Sequence, residues 1–160
     1  MALQIYRAKP NPDGRDRFGS TVPTSQIAGE WVDLLNTGLQ PFNLGGVALQ
    51  HVAYPSPLTM GVWREVMLFP DFSLGVSEIL RVHSGRKVDL SVLYPEDQSG
   101  AEWHIFTGNN YYVWNNDRGD AARLVVSADD PQREVQLDKA EYISIPPEGV
   151  VLSRVGDLLI

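Results

Sequence analysis

Along the 160 residues, apolar positions gather in short runs and do not recur at the three-and-four spacing of a helix. Runs at 3–8, 30–35, 47–52, 65–69, 78–83, 102–106, 122–127, 141–145 and 150–153 are rich in Val, Ile, Leu and aromatic residues, and they predict strands. Turn chemistry separates them. Lys9-Pro10-Asn11-Pro12-Asp13-Gly14 presets φ at two prolines and ends in an Asp-Gly step, so no regular element runs through it. Asn36-Thr37-Gly38 and Pro146-Pro147-Glu148-Gly149 reverse the chain by similar means. Residues 84–100, with Pro95-Glu96-Asp97, read as a long surface connection holding one strand around 88–94. Many short strands with no helices between them predict an all-β sandwich.

Composition narrows the picture. An apolar share of 43% can fill an interior, which argues against disorder, and 160 residues suit one core better than two. The 14 glycines and 11 prolines are spread as punctuation along the chain. A formal charge of -7, with no Lys/Arg stripe, repels phosphate backbones and makes nucleic acid an unlikely partner. Without cysteine, the chain has no disulfides, thiolate metal sites or cysteine nucleophile. The first residues, Met1-Ala2-Leu3-Gln4-Ile5-Tyr6-Arg7, lack the charged start and apolar run of a signal peptide. No stretch approaches the roughly 20 apolar residues of a membrane-spanning helix. The expectation is a chain with no membrane insertion, whose default address is the cytoplasm.

Five blocks in order make the reading more specific. The first is Ile5-Tyr6 leading into Pro12-Asp13-Gly14-Arg15-Asp16, and the second is Glu30-Trp31-Val32-Asp33-Leu34-Leu35-Asn36-Thr37-Gly38. The third is Pro41-Phe42-Asn43-Leu44-Gly45-Gly46-Val47-Ala48-Leu49, and the fourth is Ile79-Leu80-Arg81-Val82-His83-Ser84-Gly85. The fifth runs from Trp103-His104-Ile105-Phe106-Thr107-Gly108 through Val113-Trp114-Asn115-Asn116 and Gly119-Asp120 to residues 121–124. Together they resemble the lamin tail domain of the prokaryotic type, an immunoglobulin-like β-sandwich. The resemblance covers roughly residues 3–127 and implies scaffolding or tethering, without cofactor or catalysis. It departs at Val47, where the family favours an aromatic, and along 54–68. On this reading residues 1–139 form the sandwich and 140–160 a C-terminal β extension, a hairpin or docking tail.

The blocks also make sense as plain structure. Asn36 and Gly38 suit a turn with a self-bonded Asn; Leu44 can plug the end of the sandwich. Trp114 is expected in the core beneath its loop, with Asn115 and Asn116 satisfying loop backbone groups.

Chemistry is sparse. His51, His83 and His104 all lie in predicted strands, and no nucleophile elbow or paired-histidine metal spacing occurs. Asn11, Asp13 and Asp16 are weak calcium candidates, because hard cations favour carboxylates and carbonyls on a flexible loop. Solvated Asx-turns explain those three residues better, so no metal is expected. Tyr111 and Tyr112, with Asn116, Asp117 and Asp120, form an aromatic and polar loop that a glycan could use. Alternation suggests that one of the two tyrosine rings points inward. Arg118-Gly119-Asp120 spells an integrin-type tripeptide but reads as a turn. At the C-terminus, Tyr142 in 141–145 is expected to pair as a hairpin with 150–153. Leu158, Leu159 and Ile160 must pack on the sandwich or dock on another chain. The expectation is a non-enzymatic protein-interaction or structural module, with a protein partner or self-association; the alternative is glycan binding.

Overall fold

The computed structural model describes residues 2–14, 16–56, 58 and 60–160. Arg15 of the first block and Met1 of the N-terminal run lie outside the described residues. Twelve strands form among those described: β1 Leu3–Lys9, β2 Trp31–Asn36, β3 Phe42–Asn43, β4 Val47–Ala53, β5 Val62–Leu68, β6 Ser73–Leu74, β7 Ile79–His83, β8 Trp103–Phe106, β9 Asp120–Val126, β10 Val135–Tyr142, β11 Leu152–Val155 and β12 Leu158–Leu159. Two short helices join them, α1 Thr24–Ala28 and α2 Pro95–Gln98. The result is an all-β, sandwich-like fold.

One curled sheet makes both layers. Its order is β5-β4-β9-β10-β12-β11-β1-β2-β7-β8, and β3 and β6 form a separate two-stranded piece. β11 pairs with β1 on one side and with β12 on the other, while β12 pairs in parallel with β10 at Glu141↔Leu158. The β11–β12 turn is therefore the corner at which one layer becomes the other. Leu3, Ile5, Val32, Leu34, Leu80 and Val82 face Leu49, Leu124, Ala140 and Tyr142 in a single core, with Leu44 and Leu74 closing it beside β3 and β6. Leu44 and Trp114 are buried, as the plug readings expect.

Two expectations need correction. Residues 88–94 form no strand; a 3-10 turn at Leu90–Val92 is followed by α2, because Pro95 starts a helix well and cannot sit inside a paired strand. The strand expected at 141–145 is Val135–Tyr142 instead, and it does not pair with 150–153. A hairpin does form in the C-terminal segment, but between β11 and β12. A boundary at 139/140 would cut through β10, so the C-terminal residues are part of the sandwich itself.

The outer face of the β1-β2-β7-β8 layer holds an unexpected feature. In β1 the register slips between Ile5 and Arg7, so Leu3 and Ile5 face the core while Arg7 and Lys9 turn outward. Two ladders then cross the strands: Arg7, Asp33, Arg81 and His104, and beside them Lys9, Trp31, His83 and Phe106. Arg81 grips Asp33 with two hydrogen bonds, Nε to Oδ1 at 2.7 Å and Nη2 to Oδ2 at 2.9 Å. Arg7 Nη2 donates to the same carboxylate at 2.7 Å. The Arg81 guanidinium also lies 3.6 Å from the Trp31 ring centre, and its Nη1 donates to the carbonyls of Glu96, Asp97 and Ser99. These bonds hold the 84–100 connection down as a cover over the charges.

Candidate functional site

The C-terminal segment builds an apolar concavity. β10 ends at Tyr142, whose ring is buried and whose hydroxyl donates to the Asn115 carbonyl at 2.5 Å. The chain then swings out through Ile143, Ser144 and Ile145, past Pro146 and Pro147, and returns as β11. Between this excursion and β12 lies a groove of about 260 Å³, lined by Tyr142, Ile143, Pro146, Pro147, Val150, Leu158, Leu159 and Ile160. Its floor is core: Leu152 and Leu159 are buried. Its rim is not, with Ile143 76% and Ile160 65% exposed; Ile145, 64% exposed, lies in the same excursion but outside the lining. Proline at 146 and 147 denies the excursion ladder donors, so the segment cannot fold back as a strand to cover those isoleucines. Thus Tyr142, Leu158, Leu159 and Ile160, singled out from sequence, come together on one surface. Tyr142 and Leu159 act there mainly as buried supports.

Two buried carboxylates fix the tryptophan-asparagine loop. Glu30, at the threshold of β2, accepts from the Val113 and Trp114 amides at 2.8 and 2.9 Å. Burial pushes its carboxyl up to about 8. Asp120 accepts from the amides of Val52, Asn115 and Ala121 and from Asn115 Nδ2. Its Oδ2 also lies 3.2 Å from His51 Nδ1. Asp120 is thus buried structural glue. At 5% exposed it still lines the wall of the cleft that Asp117 and Arg118 border, with its oxygens already committed to these partners.

Around that loop, Tyr111 is 62% exposed and Tyr112 half-buried, as alternation suggests; the Tyr112 hydroxyl donates to the Asp16 carbonyl at 3.4 Å. Both rings line a recess of about 250 Å³ with His51, Arg64, Glu65 and Asn109. Sequence reasoning did not connect Arg64 and Glu65 to this loop, because they reach it through the β4–β5 pairing. Asp117 is exposed and joins Tyr54, Arg118, Glu141, Tyr142 and Ile143 along a broader cleft of about 550 Å³. Arg118 lies over the Tyr54 ring at 4.4 Å. Asn116 is half-buried and lines none of these concavities.

Two of the three calcium candidates, Asn11 and Asp13, are engaged otherwise, and Asp16 contributes its carbonyl to the Tyr112 hydroxyl. Asn11 Nδ2 donates to the Pro146 carbonyl at 3.0 Å, and the Asp13 carboxylate pairs with Lys9 Nζ at 3.0 Å. Among the described residues, no group of three or more carboxylates or imidazoles is arranged to hold a metal ion.

The histidines are also tied down. His83 Nδ1 lies 2.6 Å from the Ala28 carbonyl, which can only accept, so that nitrogen carries the proton. His83 Nε2 is then the acceptor for Nδ1–H of His104 at 2.8 Å. Burial pushes the His83 imidazole down to about 3. Neither ring nitrogen of His83 is free to take a proton from a substrate.

Among the described residues, no helix is long and apolar enough to cross a membrane. No protein-family model matches the chain, and no curated protein matches it in sequence.

Proposed function

We propose that this chain is a non-enzymatic protein-interaction module of the lamin tail type, and that the C-terminal groove is its docking surface. The observation that carries the reading is the pair of exposed isoleucines, Ile143 and Ile160, at the rim of a groove floored by buried Tyr142 and Leu159. Burying each isoleucine on a partner would contribute about 1.5–3 kcal/mol, enough for a hot spot where the two converge. The order of the five sequence blocks supports the family reading, which implies tethering. The immobilised His83 supports a role without catalysis.

The partner that fits is a segment of another protein carrying large apolar side chains flanked by Lys or Arg. A volume of about 260 Å³ suits a few apolar side chains, and a charge of -7 disfavours pairing two copies of this chain. Peptide display against the immobilised protein tests it. Apolar sequences with basic flanks should be enriched, and the doubly substituted Ile143→Asp, Ile160→Asp protein should lose them while keeping its thermal transition. No enrichment, or enrichment that survives both substitutions, refutes the proposal. Light scattering that finds a dimer in the native chain and a monomer in the variant would identify a second copy as the occupant instead.

A second reading rests on the Tyr111 recess. An exposed ring beside Asn109, His51, Arg64 and Glu65 offers a stacking face and hydrogen-bonding groups at a sugar's scale. Binding on a glycan array that disappears in Tyr111→Ala or Tyr112→Ala would favour it; a blank array rejects it.

A further inference from the structure

The loop after β1, the end of α1 and the start of α2 enclose a pocket of about 150 Å³ whose walls include Pro12, Asp13, Gln26, Gly29, Tyr94 and Asp97. Asp97 is the anomaly. Its side chain is wholly buried, and Oδ1 accepts from Trp31 Nε1 at 2.8 Å and from Lys9 Nζ at 2.9 Å. Its other oxygen, Oδ2, has no partner. That oxygen faces the pocket wall: a methyl on Gly29 would stand 3.5 Å from it. A buried carboxylate oxygen left unpaired is costly, and a donor belongs opposite it.

The surroundings say which donor. Gln26 spends its amide nitrogen on the Asp13 carbonyl at 2.6 Å, which leaves Oε1 as an acceptor. Gln26 Oε1 and Tyr94 Oη both approach Gly14, each 3.3 Å from where a Cβ there would stand, and both residues line the pocket. Asp13, Glu96 and Asp97 surround a single ammonium, that of Lys9, at 3.0, 3.3 and 2.9 Å. Three carboxylates face this one ammonium, and the nearby Arg81 is already paired with Asp33, which leaves the pocket attractive to a cation. A divalent metal would meet the fixed charge of Lys9 among the same carboxylates and would need six or more oxygens. A guanidinium binds best to two carboxylate oxygens, and only one is free here. An ammonium on a narrow stem has three donors and no acceptor, which matches the acceptors available. The volume equals that of roughly five waters, room for such a head and a short alkyl chain.

We propose that this pocket binds an alkylammonium group, donating to Asp97 Oδ2, with Gln26 and Tyr94 in the same lining offering further acceptors. The group is either a free amine or the lysine side chain of a partner.

The test titrates the ¹⁵N-labelled full chain with n-propylammonium chloride, against sodium chloride at equal ionic strength. The Trp31 indole N–H, which touches the other oxygen of Asp97, should shift saturably together with the Gly29 and Asp97 amides. Asp97→Asn puts an amide donor where the free oxygen was. Gly29→Ala narrows the floor without changing charge; its φ of -70° accepts a side chain, but the new methyl would stand 3.0 Å from Pro12 Cβ and 3.3 Å from the Gln26 carbonyl, so an unchanged thermal transition is the control for it. Each should weaken binding by at least about tenfold. A parallel titration with a blocked Gly-Lys-Gly peptide and its norleucine counterpart separates the sources. A lysine peptide that binds more tightly than propylammonium assigns the site to a partner's lysine; equal or weaker binding assigns it to a free amine. Shifts no larger than those with sodium, or affinity unchanged in Gly29→Ala, overturn the proposal.

Discussion

Glu30 and His83 set opposite limits on the pH range in which this fold is most stable. For Glu30 the carboxyl titrates at about 8 in the folded chain, against an ordinary value of 4.5. Below pH 4.5 it is protonated in both states and costs nothing. As pH rises further, the unfolded chain releases the proton and the folded chain retains it, so stability falls by about 1.4 kcal/mol per unit until pH 8. His83 works the other way: its imidazole titrates at about 3, against 6.5. Above pH 6.5 both states are neutral, and below it stability is lost until pH 3 as the unfolded chain takes up the proton first. Between 4.5 and 6.5 the two slopes offset each other. From 6.5 to 8 Glu30 acts without His83, and the loss comes to roughly 2 kcal/mol. Urea unfolding at pH 4.5, 5.5, 6.5 and 8 measures this, with Glu30→Gln as the reference because its amide does not titrate. The stability difference between the two proteins should shift against the native chain by roughly 2 kcal/mol between pH 6.5 and 8. Parallel curves over that interval would show Glu30 ionised inside the fold, with the Val113 and Trp114 amides sufficient to hold its charge.

Other substitutions probe the scaffold. Asp33→Ala strands the Arg81 guanidinium beneath the 84–100 cover and should cost about 3–5 kcal/mol in chemical denaturation. Trp114→Ala empties the space beneath the loop and should cost about 3–5 kcal/mol, with the Tyr111 and Tyr112 resonances displaced in the NMR spectrum. Tyr142→Phe removes only the bond to the Asn115 carbonyl and should cost about 0.5–1.5 kcal/mol, leaving partner binding at the groove intact. Deleting residues 142–160 should unfold the chain, because it removes the β11–β12 corner between the layers.

The strands easiest to read in the sequence are those whose inward positions are large and aliphatic. Leu3 and Ile5, Val32 and Leu34, and Leu80 and Val82 alternate with polar residues and fall in β1, β2 and β7 as expected. β10 escapes this logic because its buried positions are Asp138, Ala140 and Tyr142. Asp138 faces inward as an ionic clasp: its carboxylate takes the Ile5 amide at 2.7 Å and Arg154 Nη1 at 2.7 Å. Three strands, β1, β10 and β11, meet on that one side chain. A pattern that counts only apolar residues sees a charged loop there.

The same limit hides the chemistry of the outer face. Arg7, Lys9, Asp33 and Arg81 alternate with apolar neighbours, which is how solvated positions on an exposed sheet face look. Nothing local in the sequence says that 84–100 will fold back over them; that cover depends on Arg81 meeting the carbonyls at the end of α2, and on Trp31 and Lys9 meeting Asp97. The C-terminal groove is a middle case. Three aliphatic residues at 158–160 announce that something must cover them, and Leu159 does join the core. That Ile143 stands beside them follows from the parallel pairing of Glu141 with Leu158, a long-range register that strand propensity does not encode. In this chain, charged side chains tie distant segments together where aliphatic alternation stops. The two surfaces proposed for binding, the isoleucine groove and the Asp97 pocket, both lie at such junctions.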